Sequence, residues 1–182
     1  MFFKEGLEGR SFPAATDVLT INQQGCRYTP HVFGMQVGQT LQIVNSDPTL
    51  HNIHATPSVN DEFNMGQPIQ NMTFERTFDS AEVMVPFKCD VHGWMNAYVG
   101  VLDHPYFATT ALDGLFDISS LPPGDYIVEA WHEALGTQTQ NITVTTGGTT
   151  EVSFTFTASY ELCSNLDRPG YAHPSVRPVG LT

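Results

Sequence analysis

Short stretches in which apolar and polar residues alternate account for most of the chain. Residues of the types Gly, Pro, Asn and Asp separate these stretches. A period of two is typical of a β-strand with one buried face, and apolar residues at helical spacing are almost absent. The pattern therefore predicts an all-β chain, with strands over residues 35–45, 82–89, 96–103, 125–133, 139–145 and 150–158.

A boundary between two units is predicted near residues 102–110. Pro105 follows the end of an alternating stretch there and interrupts strand pairing. We expect one unit over residues 1–104 and a compact run of four short strands over residues 105–158. Residues 159–182 show no periodicity, which predicts an extended or disordered tail.

Composition narrows the classes of partner. Hydrophobic residues make up 41% of the chain, as in globular proteins. The 19 acidic and 7 basic residues give a net charge of −12, which disfavours nucleic acids and anionic membranes as partners. No apolar run approaches the about 18 residues of a membrane span. The charge instead favours a cationic protein partner.

The stretch KCDVHGWMNAYVGV places Cys89, His92 and Met95 close together, directly before an alternating segment. A turn within residues 45–54 adds His51 and His54. Two imidazoles, a thiolate and a weak thioether suit copper that cycles between Cu(I) and Cu(II). His54 follows His51 by three residues, so in a strand it lies on the opposite face. The alternative is that Cys89 and Met95 fill a core and His92 caps a turn.

Other kinds of site fit these residues less well. Zinc would not need Met95, and no oxyanion turn accompanies Cys89 to support a nucleophile. A CuA centre needs a second cysteine in the same loop, and this loop lacks one. We therefore expect a non-enzymatic metal site. If Cys89 binds the metal, Cys26 and Cys163 remain, and they either form a disulfide, as in an oxidising compartment, or stay separate thiols.

Two separated motifs carry a family resemblance. The spacing C-x2-H-x2-M before an alternating strand is similar to the compact ligand loop of amicyanin-like cupredoxins, which are blue-copper electron-transfer proteins. The segment GQTLQIVNSDPTLHN resembles the N-terminal ligand region of the same plastocyanin-like family. Across residues 30–103 the resemblance implies one type 1 copper held by His51, Cys89, His92 and Met95.

The same resemblance gives a role to Asn52, whereas Asp90 departs from the proline that such loops often carry between the cysteine and the histidine. Asn52 follows the ligand histidine and is implied to brace the cysteine loop. Asp90 either adds negative charge beside the copper or is solvated. Trp94 covers the site or offers a flat apolar contact to a partner.

A second resemblance covers residues 113–156. The spacing G-x-F-x-I-x-x-L-P-P-G-x-Y-x-V is similar to the carboxypeptidase regulatory-like, transthyretin-like family, whose members are mostly non-catalytic. Together the two resemblances imply a cupredoxin Greek-key β-sandwich followed by a smaller transthyretin-like β-sandwich, as in methylamine-utilisation-like proteins. Alternatively, the segment MFFKEGLEG supplies a strand to the second sandwich, and the copper unit is inserted into it.

The implied function is transfer of single electrons outside the cytoplasm by a protein that is not an enzyme. Its partner would be a redox protein with a basic surface, such as a c-type cytochrome. The resemblance implies a periplasmic or extracellular location, although residues 1–10 lack the apolar core of a signal peptide. Two alternatives stay open: a copper carrier or storage protein, and a structural or adhesive β protein.

Overall fold

The described part of the chain, residues 1–158 of a computed structural model, has β-strands as its only regular elements. The prediction of an all-β chain is confirmed. Within these residues no helix is long and apolar enough to cross a membrane. The strands are β1 (Phe2–Glu5), β2 (Leu19–Gln23), β3 (Tyr28–Thr29), β4 (Val32–Gln36), β5 (Leu41–Asn45), β6 (His51–Ala55), β7 (Phe63–Gln67), β8 (Thr73–Arg76), β9 (Glu82–Lys88), β10 (Asn96–Leu102), β11 (Gly124–His132) and β12 (Gly136–Val144).

The chain divides into two compact units. One unit spans Arg10–Pro105, and the other combines Met1–Gly9 with the described residues from Tyr106 onward. The N-terminal residues belong to the second unit because β1 pairs antiparallel with β11. This differs from the expected unit over residues 1–104 and agrees with the alternative in which an N-terminal strand joins the later module. The expected tail over residues 159–182 lies outside the described residues.

The unit Arg10–Pro105 has two sheets that share one apolar core. The five-stranded sheet has the order β4-β10-β9-β6-β7, and the four-stranded sheet has the order β3-β2-β5-β8. Residues from both sheets point inward, so that Ile43 of one sheet and Val85 and Val99 of the other lie in the same fully buried cluster. The unit is therefore a β-sandwich, held together by burial of one face of each sheet.

The strand predicted over residues 35–45 is two strands. β4 ends at Gln36 and β5 begins at Leu41, and the two strands lie in different sheets. Gly38 makes the turn between them with φ of 75°, a left-handed conformation that glycine adopts without steric cost. The continuous alternation concealed this turn, because Leu41 and Ile43 keep the period of a single strand.

Strand pairing brings His51 beside the cysteine loop. β6 runs antiparallel to β9, with His54 opposite Lys88 and Ala55 opposite Phe87. His51 therefore extends past the end of β9, where the chain turns through residues 89–95 into β10. This end of the five-stranded sheet holds the candidate site.

The second unit has a three-stranded sheet in the order β1-β11-β12. The strand predicted over residues 150–158 does not form in the described residues, although Val152 and Phe154 are buried in alternation. The side chains of Gln138 and Gln140 donate hydrogen bonds to the backbone carbonyls of Thr155 and Ser153. Side-chain bonds therefore replace the backbone ladder that a fourth strand would make.

Glu82 fixes a loop of the first unit through its carboxylate. It accepts hydrogen bonds from the backbone N–H groups of Ser58, Val59 and Asn60 and from the side-chain amide of Asn60. Burial acts to raise the pKa of Glu82, but these bonds together lower it below its usual range. The resulting stability is present above the pKa of an unfolded Glu, about 4.3, and is lost as the pH falls through the lower folded value.

We expect Glu82→Gln to lower the free energy of unfolding by about 2 kcal/mol at neutral pH, because the bonds to a charged acceptor are lost. The difference from the unaltered chain should shrink as the pH falls below about 4.3 and then through the lower folded pKa, because the native carboxyl becomes protonated as well. Urea unfolding of both proteins at several pH values measures this difference in the free energy of unfolding. Glu75→Gln, an exposed change on β8, is the matched control. A difference that stays constant down to the lowest pH would contradict the prediction.

Candidate metal centre

The loop from Cys89 to Met95 closes on itself between β9 and β10. The Cys89 N–H donates to the Met95 carbonyl at 3.1 Å, and the Met95 N–H donates to the His92 carbonyl at 2.8 Å. The His92 N–H points at the Cys89 sulfur, 3.3 Å away. The three-residue spacings of C-x2-H-x2-M thus form a tight turn, in which the Cys89 sulfur lies beside His92.

The donor atoms of His51, Cys89 and His92 lie close together. The Nδ1 atoms of the two histidines are 3.0 Å apart, and Cys89 Sγ is 3.8 Å from His92 Nδ1. His51 is fully buried, and Cys89 and Met95 are each 2% exposed. Donors bound to one metal at about 2.0–2.3 Å are separated by distances of this size. A buried set of imidazole, thiolate and thioether groups fits a soft transition metal such as copper.

Asp47 orients His51. Its Oδ2 atom lies 2.9 Å from His51 Nε2, so Nε2 carries the proton and Nδ1 presents its lone pair to the site. The backbone N–H of Cys26 holds the pKa of Asp47 below its usual range, with burial opposing it and the Gly25 N–H adding to it. Asp47 was not predicted as a site residue from the sequence. Its signal was a carboxylate four residues before the candidate histidine in NSDPTLH.

Asn52 ties β6 to the cysteine loop. Its Oδ1 accepts from the Asp90 N–H at 2.7 Å and the Val91 N–H at 3.4 Å, and it lies 3.2 Å from Cys89 Sγ. Its Nδ2 donates to Asp90 and Asn64. These contacts suit a residue that braces the cysteine loop and orients the Cys89 sulfur.

Asp90 and His54 contact each other and further polar side chains. The Asp90 carboxylate accepts from Asn64, Asn52 and His54, and its side chain is 42% exposed. Asn64 contributes most to lowering the pKa of Asp90, and His54 and Asn52 act in the same direction. His54 bridges Asp90 and Glu62, at 3.0 and 2.8 Å, on the face opposite His51. Hydrogen bonds and solvent thus stabilise the negative charge of Asp90.

Trp94 and Cys26 lie at the rim of the site. The Trp94 ring is 68% exposed and its centre is 5.2 Å from that of His92, while its Nε1 donates to the Cys26 carbonyl at 3.1 Å. Among residues 1–158 Cys26 has no disulfide partner, and its sulfur approaches both His51 and His92. Whether Cys26 pairs with Cys163 or stays a separate thiol is untested, because Cys163 lies outside the described residues. The nearness of Cys26 to the site was not predicted.

We expect Asp47→Asn to weaken metal binding about tenfold. An asparagine has no charge and can present its NH₂ group to His51 Nε2, so the His51 ring is no longer held in one tautomer. A chelator competition titration measures the affinity. Asp17→Asn removes the same charge from an exposed position before β2, at the other end of that strand from Cys26. Equal weakening in both variants would show that net charge, and not the orientation of His51, is responsible.

Residues 95–157 match the family model of the carboxypeptidase regulatory-like domain. The match extends over β10, β11 and β12 and confirms the resemblance seen in residues 113–156. No curated protein sequence matches the chain.

Solved structures similar to this one include amicyanin variants. The reduced Cu(I) form of one variant at pH 4 and the oxidised state of another are each 22% identical over 48% of this chain and 85% of the amicyanin chain, with a TM-score of 0.42. A copper-containing nitrite reductase from Thermus scotoductus SA-01 is 20% identical over 47% of this chain and 22% of its own, with a TM-score of 0.41. Similarities of this extent assign neither a ligand nor an activity to the chain.

Proposed function

We propose that the unit Arg10–Pro105 holds one type 1 copper and carries single electrons. The observation that supports this most strongly is the convergence of three donors. His51 Nδ1 lies 3.0 Å from His92 Nδ1, which in turn lies 3.8 Å from Cys89 Sγ. Met95 is buried in the same core cluster as Cys89 and is the candidate weak axial ligand. A His₂Cys set with a long thioether contact is the ligand set of electron-transfer copper sites.

The surroundings of the donors suit electron transfer because they restrict movement. His51 is fixed by Asp47, Cys89 by Asn52, and the loop of His92 by its own backbone hydrogen bonds. Donors that are already in place need little rearrangement when a bound ion changes charge. Copper would supply the one-electron couple, and the chain would hold its ligands nearly constant.

The proposed route for the electron is the rim at His92. His92 is part-exposed and Trp94 beside it is 68% exposed, whereas His51 and Cys89 are buried. With a net charge of −12, the chain would attract a redox protein with a basic surface, such as a c-type cytochrome. Association would then slow as salt screens the charges. A periplasmic or extracellular location is part of this proposal.

Titration of the purified chain with Cu(II), followed by visible absorption and EPR, tests the proposal. We expect an intense thiolate-to-copper band and narrow copper hyperfine splitting that saturate at one equivalent. A weak tetragonal spectrum would exclude a type 1 centre. Rapid loss of the metal to chelators would favour a copper carrier, and no tight binding would favour a structural or adhesive role.

A further inference from the structure

A second thiol lies beside the same two histidines. The Cys26 sulfur and the ligand nitrogens of His51 and His92 all lie within 4.8 Å of one another. Cys26 and His92 are part-exposed, whereas His51 is fully buried and Cys89 is 2% exposed. A thiol at the rim and a thiol in the core therefore lie near one pair of imidazoles.

The chain holds Cys26 in this place from two sides. Its N–H donates to Asp47 Oδ2 at 2.9 Å, the same oxygen that lies 2.9 Å from His51 Nε2. Its carbonyl accepts from Trp94 Nε1 at 3.1 Å, which links it to the loop of His92. Asp47 thus couples Cys26 to one histidine, and Trp94 couples it to the other.

The backbone of Cys26 is also unusual. Gly25 and Cys26 are the two central residues of the connection between β2 and β3, with φ of 62° and 53°. Left-handed conformations at both positions are required by the turn type that joins tightly twisted strands, and residues with a Cβ rarely adopt them. The cysteine occupies a position where glycine or asparagine is the usual choice.

One thiolate and two imidazoles are a ligand set that suits Cu(I). We propose that Cys26, His51 and His92 form a loading triad, which takes up Cu(I) at the rim and passes it to Cys89. The triad depends on the proposed copper centre, because both sites use the same two histidines. It adds to that centre a defined path of metal uptake.

The transfer is a ligand exchange without a change of oxidation state. The Cys26 sulfur releases the Cu(I) ion as Cys89 Sγ binds it, and His92 stays within reach of both sulfurs. The Cys89 thiol gives its proton to water, and the Cys26 thiolate takes one from water. Charge and protons therefore balance.

The first test measures Cu(I) affinity in the absence of the buried thiol. Reduced, oxygen-free protein competes with bicinchoninate for Cu(I), in the variant Cys89→Ser and in the double variant Cys26→Ser/Cys89→Ser. We expect the double variant to bind Cu(I) at least about tenfold more weakly. Cys89→Ser/Cys163→Ser, with the same number of cysteines, should match Cys89→Ser. Equal affinities in Cys89→Ser and Cys26→Ser/Cys89→Ser would overturn the triad.

The second test measures the rate of loading when Cys89 is present. The loss of colour of the Cu(I)–bicinchoninate complex reports transfer to the chain, and we expect it to be about tenfold slower in Cys26→Ser. Cys163→Ser should load at the rate of the unaltered chain. After oxidation, Cys26→Ser should show the same type 1 spectrum as the unaltered chain. Equal loading rates would overturn the role in uptake.

The two proposals fail in different ways. If the unaltered chain binds no copper, the type 1 centre and the loading triad are both overturned. If the unaltered chain develops a type 1 spectrum but Cys26→Ser leaves the affinity and the rate unchanged, the triad alone is overturned.

Discussion

The variant Cys89→Ser should lose the intense visible band and the narrow hyperfine splitting that we expect from the Cu(II)-loaded chain. Both features arise from a short bond between copper and a thiolate. Cys89 Sγ is buried at the donor cluster, 3.8 Å from His92 Nδ1. A serine hydroxyl is a harder and weaker ligand, so the loss of affinity should exceed the about 10–100-fold typical of changing a residue that only orients a ligand.

The protein should tolerate this substitution, so that the loss reports on the ligand. Cys89 Sγ lies 3.2 Å from Asn52 Oδ1, and a serine hydroxyl at that position has the same acceptor available. We expect the metal-free variant to unfold within about 1 kcal/mol of the unaltered chain. Cys163→Ser is the matched control and should keep the full spectrum. A type 1 spectrum that persists in Cys89→Ser would show that another sulfur is the thiolate ligand.

The variant Asn52→Ala should be impaired in both stability and metal binding. Asn52 is 7% exposed, and its Oδ1 accepts from the backbone N–H groups of Asp90 and Val91. An alanine leaves these donors without that acceptor, at a cost of about 1–3 kcal/mol in the free energy of unfolding. Since the cysteine loop then loses its brace, metal affinity should fall about 10–100-fold.

Urea unfolding of the metal-free protein and a chelator competition measure the two effects of Asn52→Ala. Asn64→Ala is the matched control, because Asn64 bonds to the side chains of Asn52 and Asp90 while the loop backbone keeps its acceptor. In Asn64→Ala we expect the free energy of unfolding to fall by less than about 1 kcal/mol and the metal affinity to change little. Affinity that is unchanged in Asn52→Ala would show that the loop keeps its shape without Asn52.

Local sequence patterns predicted some of the twelve strands of residues 1–158. β9, β10, β11 and β12 correspond to four of the alternating stretches, because a strand with one buried face needs apolar residues at every second position. The pattern failed where the period continued without the backbone hydrogen bonds of a strand. Residues 37–40 turn between two sheets, and residues 150–158 are bound by glutamine side chains.

Part of the candidate site could also be predicted from local spacing. Cys89, His92 and Met95 lie in one loop that is closed by hydrogen bonds among its own seven residues. The resemblance of GQTLQIVNSDPTLHN to a cupredoxin ligand region implied His51 as the ligand, and His54 was disfavoured because residues three apart in a strand face opposite ways. In the structure, the His51 ring contacts that of His92, whereas His54 bridges Asp90 and Glu62.

The sequence by itself determined the β character of the chain, the compact donor loop and the strand face of His51, because each depends on residues that are neighbours along the chain. Only the tertiary structure decided which loops and strands that are distant in the sequence contact one another. The contact of Trp94 with Cys26 spans 68 residues, that of Cys26 with Asp47 spans 21, and β1 pairs with β11 across the whole first unit. Hydrophobic alternation specifies which face of a strand is buried but not its partner. The second thiol and the carboxylate that orients His51 therefore became visible only when the sheets were packed together.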